Sequence, residues 1–89
     1  MSLFAVSYRY LPDTHAGRDE HRPSHLAFLQ DLFDSGRLVV SGPTEAEEPG
    51  ALLIIRGDSR SAVDALMAAD PFATLGFVVL AVGAQAPIA

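Results

Sequence analysis

The sequence predicts a single α+β domain of βαββαβ order, with two helices laid on a four-stranded antiparallel sheet. Three observations carry that expectation. Strand-length segments of alternating or uniformly apolar residues recur at Leu3 to Tyr10, Leu38 to Ser41, Ala51 to Ile55 and Phe77 to Gly83. Segments with helical spacing fall between the first and second of these and between the third and fourth. A chain of 89 residues suffices for one domain, here residues 1–89, and is too short for two.

In Leu3 to Tyr10 the two-residue period sets Phe4, Val6, Tyr8 and Tyr10 on one face, with Leu3, Ala5, Ser7 and Arg9 on the other. Pro12 to Arg22 is polar, with Pro12, Asp13 and Gly17 as turn formers, and reads mostly as loop. Pro23 suits a first helical turn, where its missing N–H costs nothing. Leu26, Leu29, Leu32 and Phe33 then make an apolar stripe, and Gly36 can end the helix in a left-handed conformation. The first helix is therefore expected from about Pro23 to Ser35. Leu38 to Ser41 is the second strand, halted by Gly42-Pro43. Thr44 to Pro49 is an acidic loop whose Glu45, Glu47 and Glu48 read as a solvated turn. Ala51 to Ile55 is the third strand. Ser59 or Ser61 can cap the second helix, and Ser61 followed by Asp64 has the look of a capping box. Ala62, Val63, Leu66 and Met67 form its inward stripe, and the helix stops before Pro71. Phe77 to Gly83 is the fourth strand, and Gln85 to Ala89 is expected to fray.

This order is the split βαβ, ferredoxin-like arrangement. Right-handed crossovers put both helices on the same face of the sheet. The other face is not polar. The last strand offers Phe77, Val79 and Ala81 to one side and Val78, Leu80 and Val82 to the other; the third does likewise with Leu52 and Ile54 against Leu53 and Ile55. Monomers seldom leave such a patch in water. A homodimer packed sheet to sheet is the expected solution, and a domain this small and free of cysteine needs such support.

Composition excludes several functions. The net charge of −5 argues against a nucleic-acid partner. All six basic residues are arginine, so lysine Schiff-base chemistry and a lysine-bearing phosphate loop are impossible. Without cysteine, disulfides and thiolate metal sites are excluded as well. The opening residues lack the pattern of a signal peptide. The longest strongly apolar stretch, Phe77 to Val82, is far short of the ~20 residues that span a bilayer. A cytoplasmic chain with no membrane partner and no metal or organic cofactor is expected.

Three histidines bear on chemistry. His15 lies in polar sequence and reads as solvated. His21 and His25 have the four-residue spacing of two metal ligands on a helix, but no third ligand follows at a recognisable spacing. His25 falls beside Phe28, Leu29 and Leu32 and should point partly inward. It is either a core-edge histidine bonded to backbone or an acid–base group suited to proton transfer near neutrality. Val63, Leu66, Met67 and Asp70 run i, i+3, i+4, i+7, so Asp70 extends the second helix's inward stripe at its C-terminal end, where the macrodipole disfavours a carboxylate. Asp70 either meets a partner inside or is a helix-stopping Asp-Pro turned to solvent.

Arg22-Pro23-Ser24-His25-Leu26, Gly36-Arg37-Leu38 with Ser41-Gly42-Pro43, and Ala69-Asp70-Pro71-Phe72 together resemble the YciI-like (YCII-related) family over nearly the whole chain. The resemblance implies the fold of the dimeric α+β barrels. It also implies a pocket lined by a shared histidine and aspartate, matched here by His25 and Asp70. Ser41 and Gly42 match a small-residue turn bordering that pocket, and Arg22 matches a basic position before the histidine. The loop from Thr44 to Gly50 is shorter than in many relatives, so no relative's substrate transfers directly. Two functions follow as expectations. One is a cofactor-independent enzyme in which Asp70 orients His25 for proton transfer on a small, polar, ring-derived ligand, in an isomerisation or elimination. Arg22 would hold a substrate carboxylate or phenolate, and Ser41 would donate a hydrogen bond. The other is a non-catalytic binding or assembly dimer in which His25 and Asp70 form a structural hydrogen bond. The scaffold alone does not separate them.

Overall fold

A computed structural model of the chain describes residues 2–44 and 49–86, with side chains to residue 83. The elements follow in order as β1 (Ser2–Tyr10), α1 (His15–Asp34), β2 (Leu38–Thr44), β3 (Gly50–Gly57), α2 (Arg60–Met67), α3 (Pro71–Thr74) and β4 (Val78–Ala86). The sheet order is β2-β3-β1-β4 with every pairing antiparallel, so the ferredoxin-like α+β expectation holds. The alternation in β1 becomes burial: Phe4, Val6 and Tyr8 face the helices beside Leu53 and Ile55 of β3 and Val78 and Val82 of β4. Leu32 of α1, Val63 and Met67 of α2 and Phe72 of α3 close that core. The opposite face of the sheet leaves Val40 57%, Leu52 45% and Val79 40% exposed. No helix among the described residues is long and apolar enough to cross a membrane.

The sequence reading errs most at α1, which starts at His15 and carries Pro23 inside it. An interior proline costs a helix about 3 kcal/mol, and the preceding half has no apolar stripe to announce it. Tertiary contacts hold it instead. The Phe77 ring lies where a side chain at Gly17 would stand, 2.7 Å from the position of its missing Cβ, so Gly17 permits close approach rather than a turn. The Arg18 guanidinium lies 4.0 Å over the Tyr10 ring, and the His21 ring packs on Phe77. The stripe itself is also corrected. Leu26 and Phe33 are more than half exposed, whereas His25 and Leu32 are buried and Phe28 and Leu29 pack against the core. At the other end Gly36 adopts φ 78°, and the Arg37 N–H reaches Leu32 O at 2.8 Å, the expected left-handed stop.

Three further boundaries differ. β2 continues through Gly42-Pro43 to Thr44, because a sheet edge tolerates a proline that cannot donate. α2 is capped by Ser59, whose hydroxyl accepts from the Ala62 N–H, and not by Ser61. β4 runs to Ala86, so Gln85 and Ala86 pair with Phe4 and Leu3 where fraying was expected. The acidic turn with Glu45, Glu47 and Glu48 and the last three residues lie outside the described residues.

Candidate functional site

α2 ends at Met67, and this moves Asp70 to a different place from the one its spacing suggested. Asp70 is the N-cap of α3, with Pro71 in the first helical turn, and its Oδ1 accepts the Phe72 N–H at 3.0 Å. A carboxylate at a helix start satisfies a backbone donor that would otherwise have no partner, so the helix-end penalty argued from the sequence does not apply. The side chain is fully buried. Three elements supply it with donors. Tyr8 of β1 donates its hydroxyl proton to Oδ2 at 2.6 Å, His25 of α1 places Nδ1 2.9 Å from Oδ1 and 2.8 Å from Oδ2, and α3 gives the Phe72 N–H. Hydrogen bonds to an ionised acceptor are the short, strong kind. No buried polar side-chain atom among the described residues lacks a partner.

Around His25 the geometry is equally fixed. The Phe72 ring stacks on the imidazole with centroids 3.9 Å apart and planes 4° from parallel, and the Tyr8 ring lies tilted at 6.2 Å. With Nδ1 turned to a carboxylate, the neutral ring carries its proton there and leaves Nε2 as an acceptor. Nε2 has no protein partner among the described residues.

His25 forms part of the wall of a cavity of about 220 Å³, together with Tyr8, Tyr10, Arg22, Ser41 and Gly42. Asp70 stands behind that wall. The five residues singled out from the sequence are thus gathered at one place, four on the surface of the cavity and one beneath it. Arg22 also bonds Asp19 Oδ1 at 2.8 Å, and that guanidinium holds the Asp19 carboxyl below its usual range. His15 stands in the first turn of α1, exposed, 3.3 Å from Asp19. His21 and His25 share a helix but turn to different partners, and no three metal-ligating side chains converge among the described residues. A groove of about 370 Å³ beside α2 is lined by Arg37, Arg56, Asp58 and Leu66 and has no histidine in its wall.

Tyr8 and Phe72 were missed by the sequence reading. The signal for Tyr8 was present: a tyrosine on the buried face of a strand must find a partner for its hydroxyl. Burial, and the Asp70 carboxylate it bonds, push the Tyr8 phenol above its ordinary range, so it is an O–H donor at any physiological pH. Phe72 gave no such signal, because stacking on His25 depends on how α3 is set against α1.

A family model described as the YCII-related domain matches residues 2–82. The protein YciI of Escherichia coli O6:H1 is 39% identical over 83 residues, covering 83% of this chain and 85% of that protein. The derivative of benzaldehyde biosynthesis cluster protein C of Emericella nidulans is 31% identical over 90 residues, covering 83% and 92%. Among solved structures, the 5-chloro-2-hydroxyhydroquinone dehydrochlorinase of Burkholderia phenoliruptrix, in complex with 2,5-dihydroxybenzoquinone, superposes with a TM-score of 0.74. It is 24% identical, and the match covers 89% of this chain and 90% of that one.

Proposed function

The chain belongs to the YCII-related family, and from that premise we propose that it is a cofactor-independent enzyme using His25 and Asp70 for proton transfer on a small hydroxylated ring. The observation that carries this reading is the buried Asp70 carboxylate 2.8 Å from Nδ1 of an imidazole that borders a cavity. Asp70 holds the ring in one tautomer, as the third member of a catalytic triad does. Nε2 then accepts a proton from an acidic position of the ligand. The electron pair left behind either takes a proton at another atom, an isomerisation, or forms a double bond as a neighbouring leaving group departs, an elimination. Arg22 holds a negative oxygen of the ligand at the rim, and Ser41 donates a hydrogen bond. Positioned acid–base catalysis is worth about 10²–10⁴-fold, enough for an activated ring and too little for an inert bond. The ring-ligand class draws support from the fold neighbour, whose own ligand is a dihydroxybenzoquinone.

The working form we propose is a homodimer packed through the outer sheet face, which would bury Val40, Leu52 and Val79. A non-catalytic reading, with His25–Asp70 as a structural tie, is favoured by the complete burial of Asp70. One experiment decides between the two. Wild type and His25→Gln are incubated with small halogenated and unhalogenated hydroxyquinols, with halide release and ring absorbance followed. Turnover that falls about 100-fold or more in the folded variant supports the enzyme. Absence of both binding and turnover across the panel, with lower thermal stability in the variant, leaves the structural tie.

A further inference from the structure

We infer that Tyr8 is a positioning residue of this site, acting through Asp70 to set how strongly the imidazole of His25 takes up a proton. The inference rests on the reading of His25 as the base and goes beyond it, because it assigns the control of that base to a residue on another element. Asp70 has no freedom left to turn. The Phe72 N–H pins Oδ1 and the Tyr8 hydroxyl pins Oδ2, so the carboxylate plane is held with both oxygens toward Nδ1. Neither pin touches the imidazole nitrogens, yet each draws on the same negative charge that would stabilise an imidazolium. The 2.6 Å contact from Tyr8 is the shortest of the four and has a side-chain donor that substitution can remove. The Phe72 donor is backbone and always present.

Among the described residues the competing charges are few. The titratable groups bordering the cavity with His25 are Tyr8 and Tyr10 from β1 and Arg22 from α1; the β2 and β3 residues there (Ser41, Gly42, Pro43, Ala51 and Leu53) carry none. Asp70 approaches from the α2–α3 corner. Phe72 covers one face of the ring and brings no charge. Tyr8 stays protonated at physiological pH, so its effect on Asp70 is a constant hydrogen bond and not a second titration. Removing that bond concentrates the carboxylate charge on His25 and makes the imidazolium easier to form. Strengthening it has the opposite effect.

The test is an NMR titration of the His25 ring in the full chain. Tyr8→Phe should raise its midpoint by about 0.5–1 pH unit, and a more acidic fluorinated tyrosine placed at position 8 should lower it. In an Asp70→Asn background, Tyr8→Phe should move the midpoint by less than about 0.2 unit, because the route through the carboxylate is gone. A midpoint unmoved by Tyr8→Phe, or a shift that persists with Asp70→Asn, overturns the inference. Should Tyr8→Phe fail to fold, the fluorinated residue keeps the hydroxyl and decides alone: a lowered midpoint supports the role and an unchanged one refutes it. The readout needs no substrate. Failure of the ring-ligand panel with the titration shifts intact removes the enzyme reading only, and the reverse removes only the role of Tyr8.

Discussion

At Asp70 one carboxylate answers donors from β1, α1 and its own helix start, and the consequences of that arrangement can be read at single residues. Burial and the bond to Asp70 raise the Tyr8 phenol in the folded state above its unfolded value near 10. The folded chain therefore keeps a proton that the unfolded chain releases. Its contribution to stability is complete below about pH 10 and declines above it, by about 1.4 kcal/mol per pH unit for one group. Urea unfolding of the wild type between about pH 8 and 11 should show that decline, and Tyr8→Phe should lack this share of the slope. Equal slopes in the two proteins would mean that the phenol is no harder to ionise in the fold than out of it. In the sequence, helical spacing turned His25 partly inward, as found, and left Asp70 open between an inward partner and solvent; the helix-end penalty argued for Asp70 does not apply, because it opens α3. A stripe at i, i+7 cannot tell a helix that continues from one that stops and restarts, and here the chain restarts at Pro71.

Among the elements, the β1–β3 pairing delivers Tyr8 to the site, and its register depends on Gly50 and Ala51 opposite Arg9 and Tyr8. A Cβ on Gly50 would collide with the Tyr8 carbonyl oxygen, which is backbone and cannot swing away. Gly50→Ala should cost about 1–3 kcal/mol through overpacking, measured as a lower urea midpoint, and should shift the Tyr8 and His25 NMR signals together. An unchanged midpoint would show that the strand slides without loss. α1 shows the limit of element reading from periodicity. Its second half has a helical face and was seen; its first half packs through a glycine, an arginine on a tyrosine and a histidine on a phenylalanine, and was read as loop. Two of those contacts are made to Phe77, which is distant in sequence, so no local pattern announces them.

For the whole molecule, the two faces of the sheet differ in what covers them. One is covered by helices; the other presents Val40, Leu52 and Val79 at 40% exposure or more. The proposed homodimer predicts a mass in light scattering of twice the 9.4 kDa chain at micromolar concentration. Leu52→Arg, which places a charge in the middle of that face, should halve the mass while leaving the far-UV spectrum of the sheet in place. A wild-type chain that runs as a monomer would leave the apolar face in need of another explanation.

The sequence by itself determined the order of the four strands and the two longer helices, the two-sided apolar character of the sheet, the inward lean of His25 and the family, because strand period, helix spacing and short motifs are local properties of the chain. Tertiary structure alone decided that the polar stretch before Pro23 is helical, that Asp70 turns inward and opens a helix instead of closing one, and that Tyr8 donates to it. Each of these depends on a partner distant along the chain: Phe77 against Gly17, His25 against Asp70, and Asp70 against Tyr8. Such a contact leaves no period in the sequence, since its free energy is gained only when the chain has closed on itself.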